Sequence, residues 1–157
     1  MKLIVTKFGG TSVGTIDRIK SVAARIKNEV DNGYNVIVVV SAMAGETNRL
    51  IKLVESLTND YRTSEYDIVI SSGEQVTSGL LAIALNELGI KSKSYQGWQI
   101  PFETDDNFSK ANIKTIKKDK ILSDLKDGFV IVVPGFQGVH KNRITSKLFF
   151  SSSFVSG

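Results

Sequence analysis

Short runs of apolar residues alternate along the chain with longer segments in which apolar residues recur every three or four positions. The runs are typical of buried strands, and the longer periodicity is typical of helices with one buried face. The predicted strands are residues 3–8, 36–40, 68–70, 92–95 and 129–133. The predicted helices are residues 16–30, 49–57, 75–88 and the lysine-rich segment 110–125. This alternation predicts one α/β domain with a mainly parallel sheet between layers of helices.

Composition narrows the chemistry that such a domain can perform. The 157 residues are 41% hydrophobic and 23% charged, which is ordinary for one soluble domain. The absence of cysteine excludes disulfide scaffolds, cysteine-ligated metal sites and thiol catalysis, and a single histidine, His140, excludes a multi-histidine metal centre. No apolar run approaches the ~18 residues of a membrane span, and the N-terminus has no secretory signal. We therefore expect a cytoplasmic protein without membrane contact.

The lysine-rich segment carries much of the net charge of +4. Its apolar residues lie at helical spacing, so the lysines form one solvated face of an amphipathic helix in the simpler interpretation. A nucleic-acid surface is the alternative interpretation, but no binding motif or interleaved aromatic residue accompanies the charge. We expect no nucleic-acid partner. The lysines are Lys110, Lys114, Lys117, Lys118 and Lys120.

Small and polar residues follow four of the predicted strands. In parallel sheets, ligands bind beyond the carboxyl ends of the strands, so these loops are expected to share one pocket. Closely spaced backbone N–H groups followed by helix N-termini favour an anion, most often phosphate. The loops are residues 9–14, 41–47, 71–75 and 134–138.

Lys7 is the cation nearest to the first glycine-rich loop. Gly9 and Gly14 have the spacing of the outer glycines of a P-loop and of a dinucleotide fingerprint. Thr15 stands where the P-loop needs lysine, and Thr11 stands where the fingerprint needs its middle glycine. A lysine at the strand end could instead neutralise phosphate charge over the loop. The alternative is that Lys7 only faces solvent at a strand terminus.

Glu74 follows Gly73 and is expected near the start of a helix, where the helix dipole stabilises a carboxylate. It either caps that helix or, if it faces the pocket, binds the ammonium group of a substrate. Ser41 and Thr47 lie in the neighbouring loop as hydroxyl donors, although such residues commonly make only local turn bonds.

Five segments resemble the aspartate kinases, which are members of the amino acid kinase superfamily, in order and spacing. They are KFGGTSVG at 7–14, VSAMAGETNRL at 40–50, SGEQVT at 72–77, GWQIP at 97–101 and GFQG at 135–138. The resemblance covers residues 2–145. It implies a three-layer αβα sandwich and the transfer of the γ-phosphoryl group of ATP to the β-carboxylate of L-aspartate, as in lysine, threonine and methionine biosynthesis.

The resemblance also implies roles for individual residues. Lys7 is implied to balance the charge of the transferring phosphoryl group. The ATP phosphates are implied to contact Lys7, Phe8, Gly9, Gly10, Ser12 and Ser41. Thr47 and Glu74 resemble the residues that contact aspartate, with Glu74 matched to its ammonium group. The co-substrate is ATP with Mg²⁺, no metal ligand is expected from the chain, and a homo-oligomer is allowed.

The pattern of the family ends after Thr145. The family continues with Gly-Arg-Gly-Gly-Ser-Asp, whereas residues 146–157 are rich in serine and phenylalanine. We expect residues 1–145 to be the N-terminal part of an amino acid kinase domain and residues 146–157 to be a divergent tail. Such a truncated domain would have impaired activity. The alternative is a non-catalytic remnant or a small-anion or amino-acid-binding module that docks on a partner chain.

Overall fold

A computed structural model describes residues 2–59, 63–100 and 118–135, and the course of the backbone at 102–104, 113–116, 138–139 and 145–146. Four helices lie in these ranges: α1 (Ile16–Asp31), α2 (Glu46–Glu55), α3 (Ser64–Glu87) and α4 (Asp119–Lys126). The strands are β1 (Leu3–Phe8), β2 (Asn35–Val40), β3 (Ser92–Ser94), β4 (Phe102–Thr104), β5 (Ile113–Ile116), β6 (Val130–Pro134), β7 (Gly138–Val139) and β8 (Thr145–Ser146).

The main sheet has four parallel strands in the order β1-β2-β6-β3. One face is covered by α1 and α3, and its core includes Phe8, Val38 and Val132. The other face is covered in part by α4, with Ile131 and Val133 in its core. Helices on both faces of a parallel sheet confirm the predicted αβα architecture.

Local sequence explains why α1 begins and ends where it does. The Thr15 side chain accepts a hydrogen bond from the backbone N–H of Arg18 at 3.3 Å, which satisfies one of the free donors at the helix start. The helix ends before Asn32, and Gly33 adopts a left-handed conformation with φ of +82°. The chain then enters β2, in which Val36, Val38 and Val40 alternate as buried residues. The predictions for these elements are confirmed.

Residues 64–87 form one continuous helix, so the predicted strand at 68–70 and the predicted loop at 71–75 are wrong. A short apolar run does not distinguish a buried strand from a buried stretch of helix. The start signal lies earlier, because the Thr63 side chain accepts a hydrogen bond from the backbone N–H of Tyr66 at 3.2 Å. Glu65 and Asp67 follow in the first turn, where the helix dipole favours negative charge.

By length and composition alone, α3 could cross a membrane. Half of its most apolar window is buried inside the domain, and its buried residues include Asp67 and Glu74. A core helix of a folded domain has the same composition, so this feature is weak evidence for a membrane span.

Only the second half of the lysine-rich segment is helical in the part of the chain that the structure describes. α4 begins at Asp119, whereas Ile113–Ile116 pair as a strand with β4. The spacing of Ile113 and Ile116 fits a helix, but three of these four residues are β-branched, which favours a strand. The predicted helix is therefore wrong over 113–116. A second, mixed sheet in the order β5-β4-β7-β8 results, and its β8 strand lies near α3.

Candidate active site

The carboxyl ends of three neighbouring strands lie level with each other. The backbone N–H of Ser41, just after β2, donates to the carbonyl of Phe8 at the end of β1 over 3.1 Å. The N–H of Gly135, just after β6, donates to the carbonyl of Val40 over 2.8 Å. These bonds place the loops after β1, β2 and β6 at one rim of the sheet, as the sequence predicted for three of its four loops.

The glycine-rich turn after β1 is packed tightly against the loop after β2. The N–H of Ser12 donates to the carbonyl of Gly9 at 2.9 Å, which closes the turn. A Cβ atom at Gly10 would lie 2.8 Å from the carbonyl oxygen of Ala42, a distance that real Cβ atoms essentially never show. Gly10 therefore allows a close approach of two backbones, and the turn is held by β2 as well as by its own chain.

Lys7 lies at the exposed end of β1, opposite Val39 of β2. Phe8, the next residue, is buried in the core on the opposite face of the sheet, since side chains alternate along a strand. Lys7, Phe8 and Ser12 nevertheless line one cavity of about 550 Å³ beside the strand. The structure thus brings together three of the six residues assigned to phosphate. The residues of the predicted site that do not line this cavity are Gly9, Gly10, Ser41, Thr47 and Glu74.

Glu74 lies in the middle of α3 rather than at a helix start, so neither helix capping nor the dipole of a helix N-terminus explains it. The residue is 1% exposed. A Cβ atom built at Gly135 would lie 3.8 Å from Glu74 Oε1, so the carboxylate lies beside the end of β6. A fully buried carboxylate is rare in protein interiors, and this one is aimed at the rim where the strand ends meet.

The start of α2 packs against α3 at the residue before Glu74. A Cβ atom at Gly73 would lie 3.0 Å from the Cβ of Ala42 and 3.2 Å from the Cγ of Glu46. Thr47, half-buried in the first turn of α2, therefore belongs to the segment that lies next to Glu74. The sequence placed Thr47 in a loop, but α2 begins at Glu46, after Gly45 in the left-handed conformation.

Glu46 forms an ion pair with Arg49 within the first turn of α2, at 2.7 Å between Oε1 and Nη2. The hydrogen bond from Arg49 lowers the pKa of Glu46, although partial burial opposes the shift. Glu46 is thereby neutralised by its own helix. The carboxylate of this region that is removed from solvent is Glu74.

Two arginines of α1 were missed by the sequence analysis. Arg18, Ser21 and Arg25 line the same cavity as Lys7. Arg18 and Ser21 are three residues apart, and Ser21 and Arg25 are four residues apart. This spacing puts all three on one helix face. That pattern could have found them, but only together with the knowledge that α1 lies beside an edge strand. His140, residues 136–137 and the tail from 147 onward lie outside the described residues.

The described residues contain no group of three or more His, Cys, Asp or Glu side chains that could hold a metal ion.

The main sheet is parallel, and its first strand leads through a lysine into a glycine-rich turn. These features define an α/β protein with its ligand site at the carboxyl ends of the strands. A model of the amino acid kinase family matches residues 2–155, and the chain belongs to that family. Aspartokinase of Rickettsia felis is 51% identical over 150 residues, covering 93% of this chain and 37% of its own length.

Solved structures agree with this assignment. The crystal structure of aspartate kinase from Synechocystis superposes with a TM-score of 0.77 at 35% identity, covering 96% of this chain and 24% of that chain. E. coli aspartokinase III in complex with aspartate and ADP superposes with a TM-score of 0.76 at 20% identity, covering 94% of this chain and 43% of that chain, and supports the fold alone. The predicted resemblance to aspartate kinases is confirmed. The chain spans little more than a third of the length of the curated relatives it matches.

Proposed function

We propose that this chain carries the aspartate-binding and phosphate-binding loops of an aspartate kinase. In that reaction a β-carboxylate oxygen of L-aspartate attacks the γ-phosphorus of ATP. A new P–O bond gives 4-phospho-L-aspartate, and the bond to the bridging oxygen breaks to release ADP. A carboxylate is already ionised at neutral pH, so no strong general base is needed. Positioning and electrostatic stabilisation supply the rate.

The phosphate side of the proposed site is the end of β1 and its turn. Lys7 is the catalytic cation that neutralises charge on the transferring group. The turn contains Phe8, Gly9, Gly10 and Ser12, and its backbone N–H groups suit phosphate oxygens. Ser41 adds a hydroxyl from the neighbouring rim. The tight packing of Gly10 on Ala42 supports this assignment, because a turn that binds phosphate must be rigid.

The aspartate side is formed by Glu74 and Thr47. The burial of the Glu74 carboxylate beside Gly135 is the single observation that carries the proposal. In the proposal, this carboxylate binds the ammonium group of L-aspartate, and the turn after β1 at the same rim binds the phosphates. Thr47 is proposed to donate its hydroxyl to a carboxylate of the substrate.

ATP is proposed to enter as its Mg²⁺ complex, so the metal ion is part of the substrate. Mg²⁺ in such sites keeps several waters and is held largely by substrate phosphates. We propose a soluble protein in the cytoplasm, with L-aspartate and ATP as small-molecule partners, with no nucleic-acid or membrane partner, and with a homo-oligomer allowed.

Calorimetric titration of the purified chain with L-aspartate tests the substrate side. We expect Glu74→Gln to weaken binding at least about tenfold, because the charge opposite the ammonium is lost. Glu87→Gln, an exposed residue at the end of the same helix, removes the same charge and is expected to leave binding unchanged. Absence of aspartate binding to the folded parent chain would refute the proposal.

Trapping with hydroxylamine in the presence of MgATP and L-aspartate tests the reaction itself. Hydroxamate formed by the parent chain and abolished in Lys7→Gln supports an aspartate kinase. Aspartate binding without hydroxamate supports the second candidate, a non-catalytic amino-acid-binding module.

A further inference from the structure

The turn after β3, residues 96–100, lies at the same rim as the proposed aspartate site, and the proposed reaction gives it no role. β3 is parallel to β6, and their register, continued past the last paired residues, puts Gln96 level with Pro134 at the end of β6. The Glu74 carboxylate lies beside Gly135, the next residue. The turn after β3 is therefore a fourth segment of the rim, next to the part that holds Glu74.

Contacts with α3 show how close Gln96 lies to Glu74. At the start of β3, the Ser92 hydroxyl donates to the carbonyl of Ala82 over 2.7 Å. Beyond the end of β3, Gln96 donates from Nε2 to the Ser78 hydroxyl oxygen over 3.4 Å. β3 and α3 are therefore antiparallel, and the next turn of α3 toward the rim carries Glu74. Because side chains four residues apart are neighbours on one helix face, the Ser78 hydroxyl and its Gln96 partner lie one helix turn from Glu74.

The orientation of the Gln96 carboxamide is fixed by its partner. The Ser78 hydroxyl donates its only proton to the carbonyl of Gln75 over 2.9 Å, so toward Gln96 it can only accept. The Gln96 atom next to Ser78 is therefore the donor, Nε2. Oε1 is left as a buried acceptor without a hydrogen-bond partner among the described residues. Native proteins keep few such groups, because a buried acceptor that is not satisfied carries a desolvation cost.

The backbone of Gln96 is held as well. Its N–H donates to Oε1 of Gln99, and its carbonyl accepts from the N–H of Gln99, both over 2.9 Å. The same carbonyl accepts from the N–H of Ile100 over 3.3 Å. Ile100 and Tyr95, at the two ends of the turn, are buried in the core on the α4 side of the sheet. Oε1 of Gln96 therefore belongs to a turn that is anchored on both faces of the sheet, not to a loose surface side chain.

The chemistry of the proposed substrate supplies a matching donor. The ammonium group of an amino acid has three N–H donors, and in a site removed from solvent each of them needs an acceptor. The Glu74 carboxylate supplies the opposite charge. A second carboxylate beside it would repel the first and favour protonation of one of the two, whereas a carboxamide adds an acceptor without adding charge.

We propose that Gln96 Oε1 accepts a hydrogen bond from the ammonium group of L-aspartate, beside Glu74. Gln96 is then a specificity-determining residue, which favours the α-amino acid over the corresponding dicarboxylic acid, succinate. This inference rests on the proposed function, because Gln96 shares the substrate ammonium group with Glu74.

Calorimetric titration of the full 157-residue chain with L-aspartate and with succinate tests the role of Gln96. In Gln96→Met we expect the affinity for L-aspartate to fall at least about fivefold and that for succinate to change less than about twofold, because only L-aspartate has the donor. Gln99→Met is the matched control. It removes a carboxamide from an exposed residue of the same turn, and both affinities should change less than about twofold.

Ser78→Ala gives a second test, which decides the matter if circular dichroism shows that Gln96→Met is not folded. The substitution removes the acceptor that orients the Gln96 carboxamide. The affinity for L-aspartate should fall by about twofold or more, with that for succinate unchanged.

Equal losses for the two ligands, or equal losses in Gln96→Met and Gln99→Met, would show a merely structural role and overturn the proposal. Equal affinity of the parent chain for L-aspartate and succinate would overturn it too. Glu74→Gln separates the two proposals. If Glu74→Gln weakens L-aspartate binding and folded Gln96→Met does not, the inference alone fails. If Gln96→Met weakens it selectively and Glu74→Gln does not, the role of Glu74 in the proposed function alone is refuted. A folded parent chain that binds neither ligand would refute both.

Discussion

The two edge strands of the main sheet each present a lysine, and the two lysines are in opposite electrostatic situations. On β3, Lys93 pairs with Asp124 of α4, with 2.6 Å between Nζ and Oδ1, and it also lies 3.9 Å from the centre of the Phe129 ring. On β1, Lys7 is exposed and has no carboxylate partner among the described residues.

The β3 edge is a closed network. Asp124 is buried and accepts hydrogen bonds from Lys93 and from the hydroxyl of Tyr95, itself buried. Burial raises the pKa of Tyr95 to about 12, and the bond to Asp124 adds to the shift. Burial also tends to raise the pKa of Asp124, but the hydrogen bonds from Lys93 and Tyr95 and the charges of Lys93 and Lys120 outweigh it and lower that pKa.

The comparison shows what the charged side chains do at each edge of the sheet. At β3 the positive charge of Lys93 holds α4 against the sheet, because every ionic group of the network has a partner. At β1, Lys7, Arg18 and Arg25 line a cavity and form no ion pair with a carboxylate among the described residues. Charges that stabilise the fold are satisfied internally, whereas charges left facing a cavity are available to a ligand. Substitutions at the two edges should therefore separate stability from binding.

The largest effect on stability is expected from Asp124→Ala. The substitution leaves the Lys93 ammonium and the buried Tyr95 hydroxyl without their shared acceptor, at an expected cost of about 2–4 kcal/mol in the free energy of unfolding. Urea denaturation followed by circular dichroism measures it. Asp127→Ala, at the exposed end of the same helix, is the control and should change stability by less than about 0.5 kcal/mol. Equal losses of stability in the two variants would mean that the network of Lys93, Tyr95 and Asp124 adds nothing to the stability of the fold.

The next largest effect belongs to the β1 edge and is steric. Gly10→Ala forces a Cβ atom to within 2.8 Å of the Ala42 carbonyl oxygen, so one backbone must shift. Overpacking of this kind costs about 1–3 kcal/mol, and the shift should also weaken phosphate binding. Gly9→Ala is the matched control, since a Cβ atom there has no neighbour within 4 Å. Thermal or urea unfolding of both variants tests the difference, and similar losses would contradict the tight turn.

A smaller effect is expected in the pH dependence of stability. The pKa of Asp124 is lowered in the folded protein, so its contribution is present above the unfolded value near pH 4 and is lost as the pH falls through the folded value. Tyr95 is shifted upward to about 12, so its contribution is complete below about pH 10 and is lost between pH 10 and 12.

Urea titrations monitored by Trp98 fluorescence, repeated across the pH range, test both limbs. Tyr95→Phe should flatten the alkaline limb and retain the acid limb. An alkaline limb that is unchanged in Tyr95→Phe would assign it to other groups and contradict the role of the network.

The β1–α1–β2 region could be predicted from sequence because its local signals agree with its tertiary contacts. The continuous β-branched run in β2, the Thr15 cap and Gly33 all point to the elements that form. Lys7 and the glycine-rich turn were placed at the correct rim for the same reason. The second sheet could not be predicted, because strands of two to four residues carry too little pattern.

Helix α3 shows the opposite case. Its middle section, 68–75, combines an apolar run with serines and a glycine, which locally resembles a strand followed by a loop. Packing decides otherwise, because Gly73 lets α3 approach Ala42 and the start of α2 closely. The predicted position of Glu74 near a helix start was therefore wrong, and its role in substrate binding stays a prediction. Arg18 and Arg25 were not singled out because no sequence pattern states that α1 shares a cavity with β1.

The smallest effect on stability is expected at Lys7, and the sharpest test of the comparison is to neutralise the two edge lysines in turn. Lys93→Gln removes a partner of Asp124 and should destabilise the protein by about 1–2 kcal/mol without changing phosphate binding. Lys7→Gln removes an exposed charge that has no carboxylate partner among the described residues, and it should change the free energy of unfolding by less than about 0.5 kcal/mol. The same variant should lose phosphate affinity. Urea denaturation and calorimetry on the two proteins give all four values, and a marked destabilisation by Lys7→Gln would mean that the β1 edge, like the β3 edge, uses its lysine to hold the fold.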